Sequence, residues 1–193
     1  MARTKDFDPD TVLGQAMDLF WERGYEATSM ADLVERLGIA RASLYGTFGS
    51  KHDLYLAALK RYLEIRETGF VRALSQPGPV LPAVRSLVQS WVDEALNDPA
   101  HLGCLVVNAA VELSPRDPKV AHQVELSWGV LETTLTSALM RAIAQGELPE
   151  ERDPQVLARF LLVMLQGIRV IARAAPDPAR LQAAASQALA ALA

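Results

Sequence analysis

The segment "TSMADLVERLGIARASLYGTFGSK", residues 28–51, decides the fold of the amino-terminal part of the chain. Its first half repeats apolar side chains at the i, i+3, i+4, i+7 spacing of an amphipathic helix, namely Met30, Leu33, Val34 and Leu37. Gly38 follows at once, and a glycine at this point is a common helix end. The pattern therefore predicts a helix over 28–37, a tight turn at Gly38 and a short helix over 40–47.

The second helix of this pair lies in a cation-bearing window of an acidic chain. The formal net charge is -4 and the pI is about 5.4. Residues 6–35 carry eight acidic side chains and one basic one, whereas 36–52 carry three basic side chains and no acidic one. Phosphate neutralisation supplies much of the affinity of proteins for DNA, so this local charge favours a helix-turn-helix that enters the major groove. The cations are Arg36, Arg41 and Lys51, with Arg3 and Lys5 as an additional cationic arm.

The remaining chain predicts an all-α fold of about nine helices. It has 193 residues, of which 50% are hydrophobic and 22% charged, as in a globular protein. No alternating pattern of useful length predicts a strand. Proline-marked breaks each precede a new apolar-periodic run, as expected where one helix ends and the next begins. These breaks lie at 75–82, 97–99, 114–118, 149–154 and 175–178.

Several local signals fix helix positions and the cellular compartment. Asp8 and Pro9 predict the start of a helix over 9–23, and a long helix is expected from Ser50 to Leu74. Its expected inward residues are Leu54, Ala58, Tyr62, Ile65 and Phe70. The apolar run at 160–168 is too short for a bilayer span, and the single cysteine excludes an internal disulfide. We therefore expect a cytoplasmic protein with no membrane partner.

The stretch "TSMADLVERLGIARASLYGTFGSKHDLYLAAL", residues 28–59, resembles the amino-terminal signature of the TetR family of bacterial transcriptional regulators. The resemblance covers about residues 8–60. It implies a three-helix DNA-binding domain, assigned to 1–52, that binds a double-stranded operator. It further implies a helical domain, assigned to 53–193, that binds a small-molecule inducer and forms a homodimer, usually as a repressor.

The resemblance also assigns individual residues to DNA. Arg41, Ala42 and Ser43 match the positions that read base edges, where an arginine can bind guanine through two hydrogen bonds. Ala40 replaces the usual capping hydroxyl residue, and Tyr45 alternatively packs inside the fold. The full set of predicted DNA-binding residues is Thr28, Ser29, Arg41, Ala42, Ser43, Tyr45, Gly46, Thr47 and Lys51.

Dimerisation is expected through the last two helices. Residues 154–175 are apolar on nearly the whole circumference of a helix, which predicts cover on more than one side. The last helix carries a face of mostly small side chains, which suits close packing against a second copy. The alternative is that both helices pack only within one chain. The predicted interface residues are Phe160, Met164, Gly167, Ile171, Leu181, Ala185, Ala188 and Leu192.

An effector cavity is expected between the fourth and eighth helices. The segment "GCLVVNAAVELSP", 103–115, resembles one found in electrophile- and oxidant-responsive members of the family. Cys104 is either a reactive sensor at a helix start or a small buried hydrophobe. Asn108 and Glu112 share its helix face, where hydrogen bonds that tie helices together are expected. The predicted lining residues are Trp91, Cys104, Leu105, Asn108, Trp128 and Met164.

No constellation in the sequence predicts catalysis. His52, His101 and His122 lack a metal-ligand spacing with one another or with Cys104, so no metal or cofactor is expected. No nucleophile elbow or phosphate-binding loop is present. The sequence therefore predicts a ligand-responsive transcriptional regulator. The alternatives are a helical enzyme, or a small-molecule-binding protein whose helix-turn-helix is not functional.

Overall fold

A computed structural model describes residues 7–192, and these residues form nine α-helices without a strand. The all-α prediction is confirmed, whereas the cationic arm predicted at Arg3 and Lys5 lies outside the described residues. The helices are α1 Pro9–Arg23, α2 Met30–Leu37, α3 Arg41–Phe48, α4 Lys51–Leu74, α5 Val80–Leu96, α6 Leu105–Glu112, α7 Pro118–Ala144, α8 Pro154–Ala174 and α9 Pro178–Ala190.

Helix starts follow from local side-chain chemistry. Four helices begin with an aspartate cap followed by proline at the first helical position, at Asp8, Asp117, Asp153 and Asp177. Each aspartate accepts hydrogen bonds from two backbone amides of the first turn, which otherwise have no partner within the helix. Ser29 and Asp32 form a capping box at the start of α2.

The first three helices pack as a small bundle on α4. Phe20, Leu33 and Leu44 contribute fully buried side chains from α1, α2 and α3 respectively. Gly38 ends α2 in the left-handed conformation, which turns the chain sharply into α3. The inward position predicted for Ile65 on α4 is wrong, because its side chain is 57% exposed.

Two buried clusters divide the described chain. The first joins α1–α3 and the beginning of α4 to α6 and the beginning of α7. The second holds the end of α4 together with α5, α8, α9 and the rest of α7. The change occurs within α4, between Leu63 and Phe70. The domain boundary at residue 52 stays a prediction, since the first cluster continues past it.

One described helix, α8, is long and apolar enough to cross a membrane by length and composition alone. One side of α8 packs into the second cluster through Leu161, Leu165 and Ile168. The opposite side carries large apolar side chains that no other part of the described residues 7–192 covers. They are Val156, Phe160, Val163, Val170 and Ile171.

The interface predicted on α9 is wrong for the residues concerned. Leu181, Ala185, Ala188 and Leu192 are buried in the second cluster of their own chain. The alternative of packing within one chain therefore holds for this face of α9. On α8, Phe160 and Ile171 are exposed, whereas Met164 and Gly167 are half-buried, and their role stays a prediction.

Candidate functional site

The outward face of α3 is polar and open. Leu44 is fully buried and anchors this eight-residue helix, while Phe48 packs partly against the same cluster. The residues on either side of Leu44 face solvent. Those exposed are Arg41, Ala42, Ser43, Tyr45 and Gly46.

Two residues of this face form one unit. Arg41 Nη2 lies 3.4 Å from Tyr45 Oη, and the guanidinium carbon lies 5.6 Å from the centre of the ring. Residues at i and i+4 are neighbours on a helix, and a guanidinium is attracted to an aromatic face. Tyr45 is 38% exposed, so its predicted alternative as an internal packing residue is wrong. The pair presents a cation and a hydroxyl outward.

Other predicted DNA-binding residues have partners within the chain. Thr28 is fully buried and donates its hydroxyl hydrogen to the Gly24 carbonyl at 2.6 Å, so its assignment as a side-chain contact to DNA is wrong. Ser29 is exposed and caps α2. Thr47 is half-buried, and the Lys51 ammonium lies 4.2 Å from the centre of the Tyr25 ring.

The cationic window is less charged than the sequence suggests. Arg36 Nη2 lies 2.9 Å from Glu22 Oε1, which pairs it with α1. The sequence places these residues 14 apart, and only the packing of α1 on α2 brings them together. Arg36 is therefore paired with α1, and Arg41 contributes the cation at the start of the outward face of α3.

A small cavity lies among the helices beyond this bundle. Its free volume is about 30 Å³, space for a water molecule or two. Helices α4, α5, α7 and α8 and the beginning of α6 supply its wall. The lining residues are Tyr62, Arg66, Phe70, Trp91, Cys104, Val106, Ser127, Trp128, Leu131 and Gln166.

Three of the six predicted lining residues reach this wall, namely Trp91, Cys104 and Trp128. The other three do not. Leu105 is buried in the first cluster, Met164 packs against the second cluster, and Asn108 donates to the Leu102 carbonyl. Cys104 is the cap residue of α6, and Leu105 and Asn108 follow it on that helix outside the cavity wall.

Hydrogen-bonding groups line the cavity beside apolar ones. The Tyr62 hydroxyl donates to Cys104 Sγ at 3.7 Å, and burial raises the pKa of Tyr62, so it stays a neutral donor. The Trp128 indole nitrogen is buried and has no partner among the described residues. The Trp128 N–H is therefore available to a ligand with an acceptor group.

An ion-pair network beside the cavity has no signal in the sequence pattern. Glu94 Oε2 lies 2.8 Å from Arg66 Nη1 and 2.7 Å from Arg169 Nη2. Arg169 is 5% exposed and its guanidinium lies 4.7 Å from the centre of the Trp91 ring. Burial raises the pKa of Glu94, but hydrogen bonds from Arg169 and the charge of Arg66 outweigh it and lower that pKa overall.

Two side-chain contacts join the amino-terminal part of the chain to α6 and to the start of α7. Glu112, the last residue of α6, accepts hydrogen bonds from the Tyr25 and Glu26 amides at 3.1 and 2.8 Å. His52 Nε2 lies 2.5 Å from Asp117 Oδ2 at the start of α7. Glu112 thus ties separate helices together, as its position in the sequence predicts.

Family models match both parts of the chain. Residues 12–58 match the family described as bacterial regulatory proteins, tetR family. Residues 80–188 match the family described as tetracyclin repressor-like, C-terminal domain. The two matches leave a gap at the end of α4, where the buried clusters also change.

Individual relatives and solved structures agree with these models. An uncharacterized HTH-type transcriptional regulator, YezE of Bacillus subtilis, is 42% identical over 94% of each chain. The HTH-type transcriptional repressor ComR of Escherichia coli is 34% identical over 89% of this chain and 82% of its own length. A cysteine variant of the TetR family regulator CifR, solved with 26-bp operator DNA, is 34% identical over all of both chains with a TM-score of 0.87.

Proposed function

Because the chain belongs to the TetR family of bacterial transcriptional regulators, we propose that it is a homodimeric, cytoplasmic repressor that a small molecule releases from its operator. The relatives are regulators of transcription and not enzymes. The observation that carries the proposal is the outward face of α3, where Arg41 and Tyr45 stand in the open beside buried Leu44.

This face fits the major groove. An α-helix fills that groove, and side chains near its amino-terminal end reach base edges. Arg41 is the first residue of α3, and Ala42 and Ser43 follow it without bulk that would hold the helix away. Tyr45 orients the Arg41 guanidinium, which reduces the side-chain entropy lost on binding.

We predict that Arg41→Ala relaxes sequence selectivity. Loss of a guanidinium that binds guanine through two hydrogen bonds costs about 1–3 kcal/mol on the preferred sequence and much less on others. Lys51→Ala is the matched control, because the family resemblance assigns Lys51 to the DNA backbone and loss of a phosphate contact weakens binding to all sequences alike. The measurement is binding to a duplex selected from a randomised pool and to shuffled DNA, across a salt series. Equal selectivity of Arg41→Ala and wild type would contradict the assignment.

The same salt series separates the proposal from a non-functional helix-turn-helix. A regulator loses affinity steeply with salt and distinguishes the selected duplex from shuffled DNA. A small-molecule-binding protein with a vestigial motif does neither. The test needs no knowledge of the ligand.

The exposed apolar side of α8 supports a homodimer. Its large side chains form one stripe along the helix, and an uncovered stripe of this kind on a soluble chain marks an interface. A two-fold axis places the same stripe of each copy against its mate. We therefore place α8 at the centre of the dimer, with α9 holding it from within the same chain.

Ligand control follows from the geometry of two linked copies. Recognition helices enter successive major grooves when they lie about 34–36 Å apart, one turn of B-DNA. The cavity wall includes α4, whose beginning belongs to the first buried cluster. A ligand that expands the cavity moves α4 and changes that separation. It lowers DNA affinity only by its different affinity for the two arrangements.

We predict that N-ethylmaleimide releases the protein from DNA through Cys104. Cys104 is the single cysteine of the chain and is buried, so a thiol reagent reacts at this residue when local opening exposes it. The adduct is far larger than the cavity of about 30 Å³, and therefore displaces Tyr62 and its neighbours. We expect at least a roughly tenfold loss of affinity after complete labelling, confirmed by mass, as a moderate allosteric coupling would give.

Cys104→Ser is the control for this experiment, because it removes the thiol with little change in size. Its DNA affinity should not respond to the reagent. An equal loss in wild type and Cys104→Ser, or no loss in fully labelled wild type, would contradict the role of this residue in ligand control.

A further inference from the structure

We infer that Glu112 is the positioning residue that fixes the angle of the helix-turn-helix relative to the cavity, through the turn between α1 and α2. The inference rests on the proposed function. It concerns a joint between the two halves of the molecule rather than a surface that touches DNA or ligand.

The joint consists of one carboxylate and two backbone amides. Glu112 Oε2 accepts from the Tyr25 amide at 3.1 Å, and Oε1 accepts from the Glu26 amide at 2.8 Å. The partners are 87 and 86 residues apart in the chain. Hydrogen bonds to a charged acceptor are stronger than those between neutral groups, and two of them fix orientation as well as distance.

The Gly24 backbone lies close to the Glu112 carboxylate. Its φ is +82°, and a Cβ placed there would lie 3.0 Å from Glu112 Oε2. A side chain at residue 24 would therefore be strained in its backbone and would press against the oxygen that holds the turn. The close approach shows that the turn is built around Glu112.

The turn in question sets the position of α2. Thr28 donates to the Gly24 carbonyl at 2.6 Å, which closes the turn on itself. Ser29 then caps α2, whose left-handed end at Gly38 leads into α3. Because the path from Glu112 through this turn to α2 is short and hydrogen-bonded, a shift of Glu112 moves α2, which leads into α3.

The other end of α6 lies at the cavity. Cys104, in the cavity wall, is the residue before α6, and Glu112 is the last residue of the helix. Eight residues of α-helix span about 12 Å, so α6 is a short rigid rod between the two places. Displacement of Cys104 by a bound molecule therefore moves Glu112 and the turn that it holds.

The test compares Glu112→Gln with Glu147→Gln. The Glu147 carboxylate accepts from the Val80 and Leu81 amides at 2.7 and 2.8 Å, the same arrangement at the start of α5. This second carboxylate, with its two amide donors, lies away from the first three helices. Glutamine keeps the size of each side chain but turns an amide N–H₂ toward one of the two donors.

We expect Glu112→Gln to bind a duplex selected by the wild type from a randomised pool about tenfold more weakly, because fewer molecules hold the competent angle. Glu147→Gln should bind within about twofold of wild type at the same folded fraction. Hydrogen exchange at the Tyr25 or Glu26 amide should become at least roughly tenfold faster in Glu112→Gln alone.

Three outcomes overturn the inference: wild-type affinity in Glu112→Gln, an equal loss in Glu147→Gln, or unchanged exchange at both amides. Should Glu112→Gln lose helicity, Glu112→Asp replaces it, since its side chain is one methylene shorter and does not reach both amides. A wild-type protein that selects no duplex would overturn the proposed function, and the inference with it. If wild type and Glu112→Gln bind the selected duplex equally well, the inference is overturned and the proposed function stands.

Discussion

A Val163→Asp variant is expected to be monomeric and to lose about 100-fold or more in affinity for operator DNA. Val163 is 71% exposed and lies on the outward stripe of α8, between Phe160 and Val170. A carboxylate at this point would have to be buried in each of two facing copies, which costs several kcal/mol. A monomer then binds one half-site and loses the benefit of the second.

Sedimentation velocity at micromolar concentration and a DNA titration check this result. Ile65→Asp is the control, because Ile65 is a large exposed apolar residue on α4 and not on α8. It should leave the dimer intact, and both variants should keep wild-type helicity. A dimeric Val163→Asp would show that α8 is not the centre of the interface.

A Glu94→Ala variant is expected to lose about 3 kcal/mol in the free energy of unfolding, the lower end for a broken buried ion pair. The reason lies with Arg169, which is buried and stacked on Trp91, and would keep a charge without its carboxylate. The value is at the lower end because the Glu94 side chain is 43% exposed and water screens the pair.

Urea unfolding measures this loss, with Glu64→Ala as the control. Glu64 pairs with Lys60 at 3.8 Å on the surface of α4, and loss of such a pair costs less than about 0.5 kcal/mol.

The difference in unfolding free energy between wild type and Glu94→Ala also depends on pH. The pKa of Glu94 is lower in the folded chain than its ordinary 4.5. Its stabilisation is therefore complete above pH 4.5 and is lost as the pH falls through the folded value. Equal unfolding energies of Glu94→Ala and Glu64→Ala at neutral pH would contradict this role.

The amino-terminal helices could be predicted closely because their limits are set by neighbours in the chain. Asp8 with Pro9 begins α1, Ser29 with Asp32 begins α2, and Gly38 ends it. Each of these signals acts within one helical turn, so a single sequence contains all the information. The same holds for the missing side-chain cap of α3 at Ala40.

Residues whose environment depends on a distant helix could not be assigned in this way. An apolar stripe on α9 fits cover by its own chain and cover by a second copy equally well. Only the packing shows that Ala185 and Ala188 face their own chain. Helical spacing likewise predicts an inward Ile65, and only the packing around α4 shows that this residue is 57% exposed. Glu94 and Arg169 lie 75 residues apart, and nothing in either local pattern links them.

The uncapped start of α3 has a consequence for how the free protein meets DNA. A helix of eight residues with no side-chain cap and a single fully buried anchor, Leu44, gains little stability of its own. The first turn of α3 is therefore the part of its outward face that unfolds at the lowest cost in free energy. Ordering of that turn on the duplex uses part of the binding free energy. The affinity for DNA is therefore lower than that of a fully ordered helix, and the turn can adapt to operators that differ in sequence.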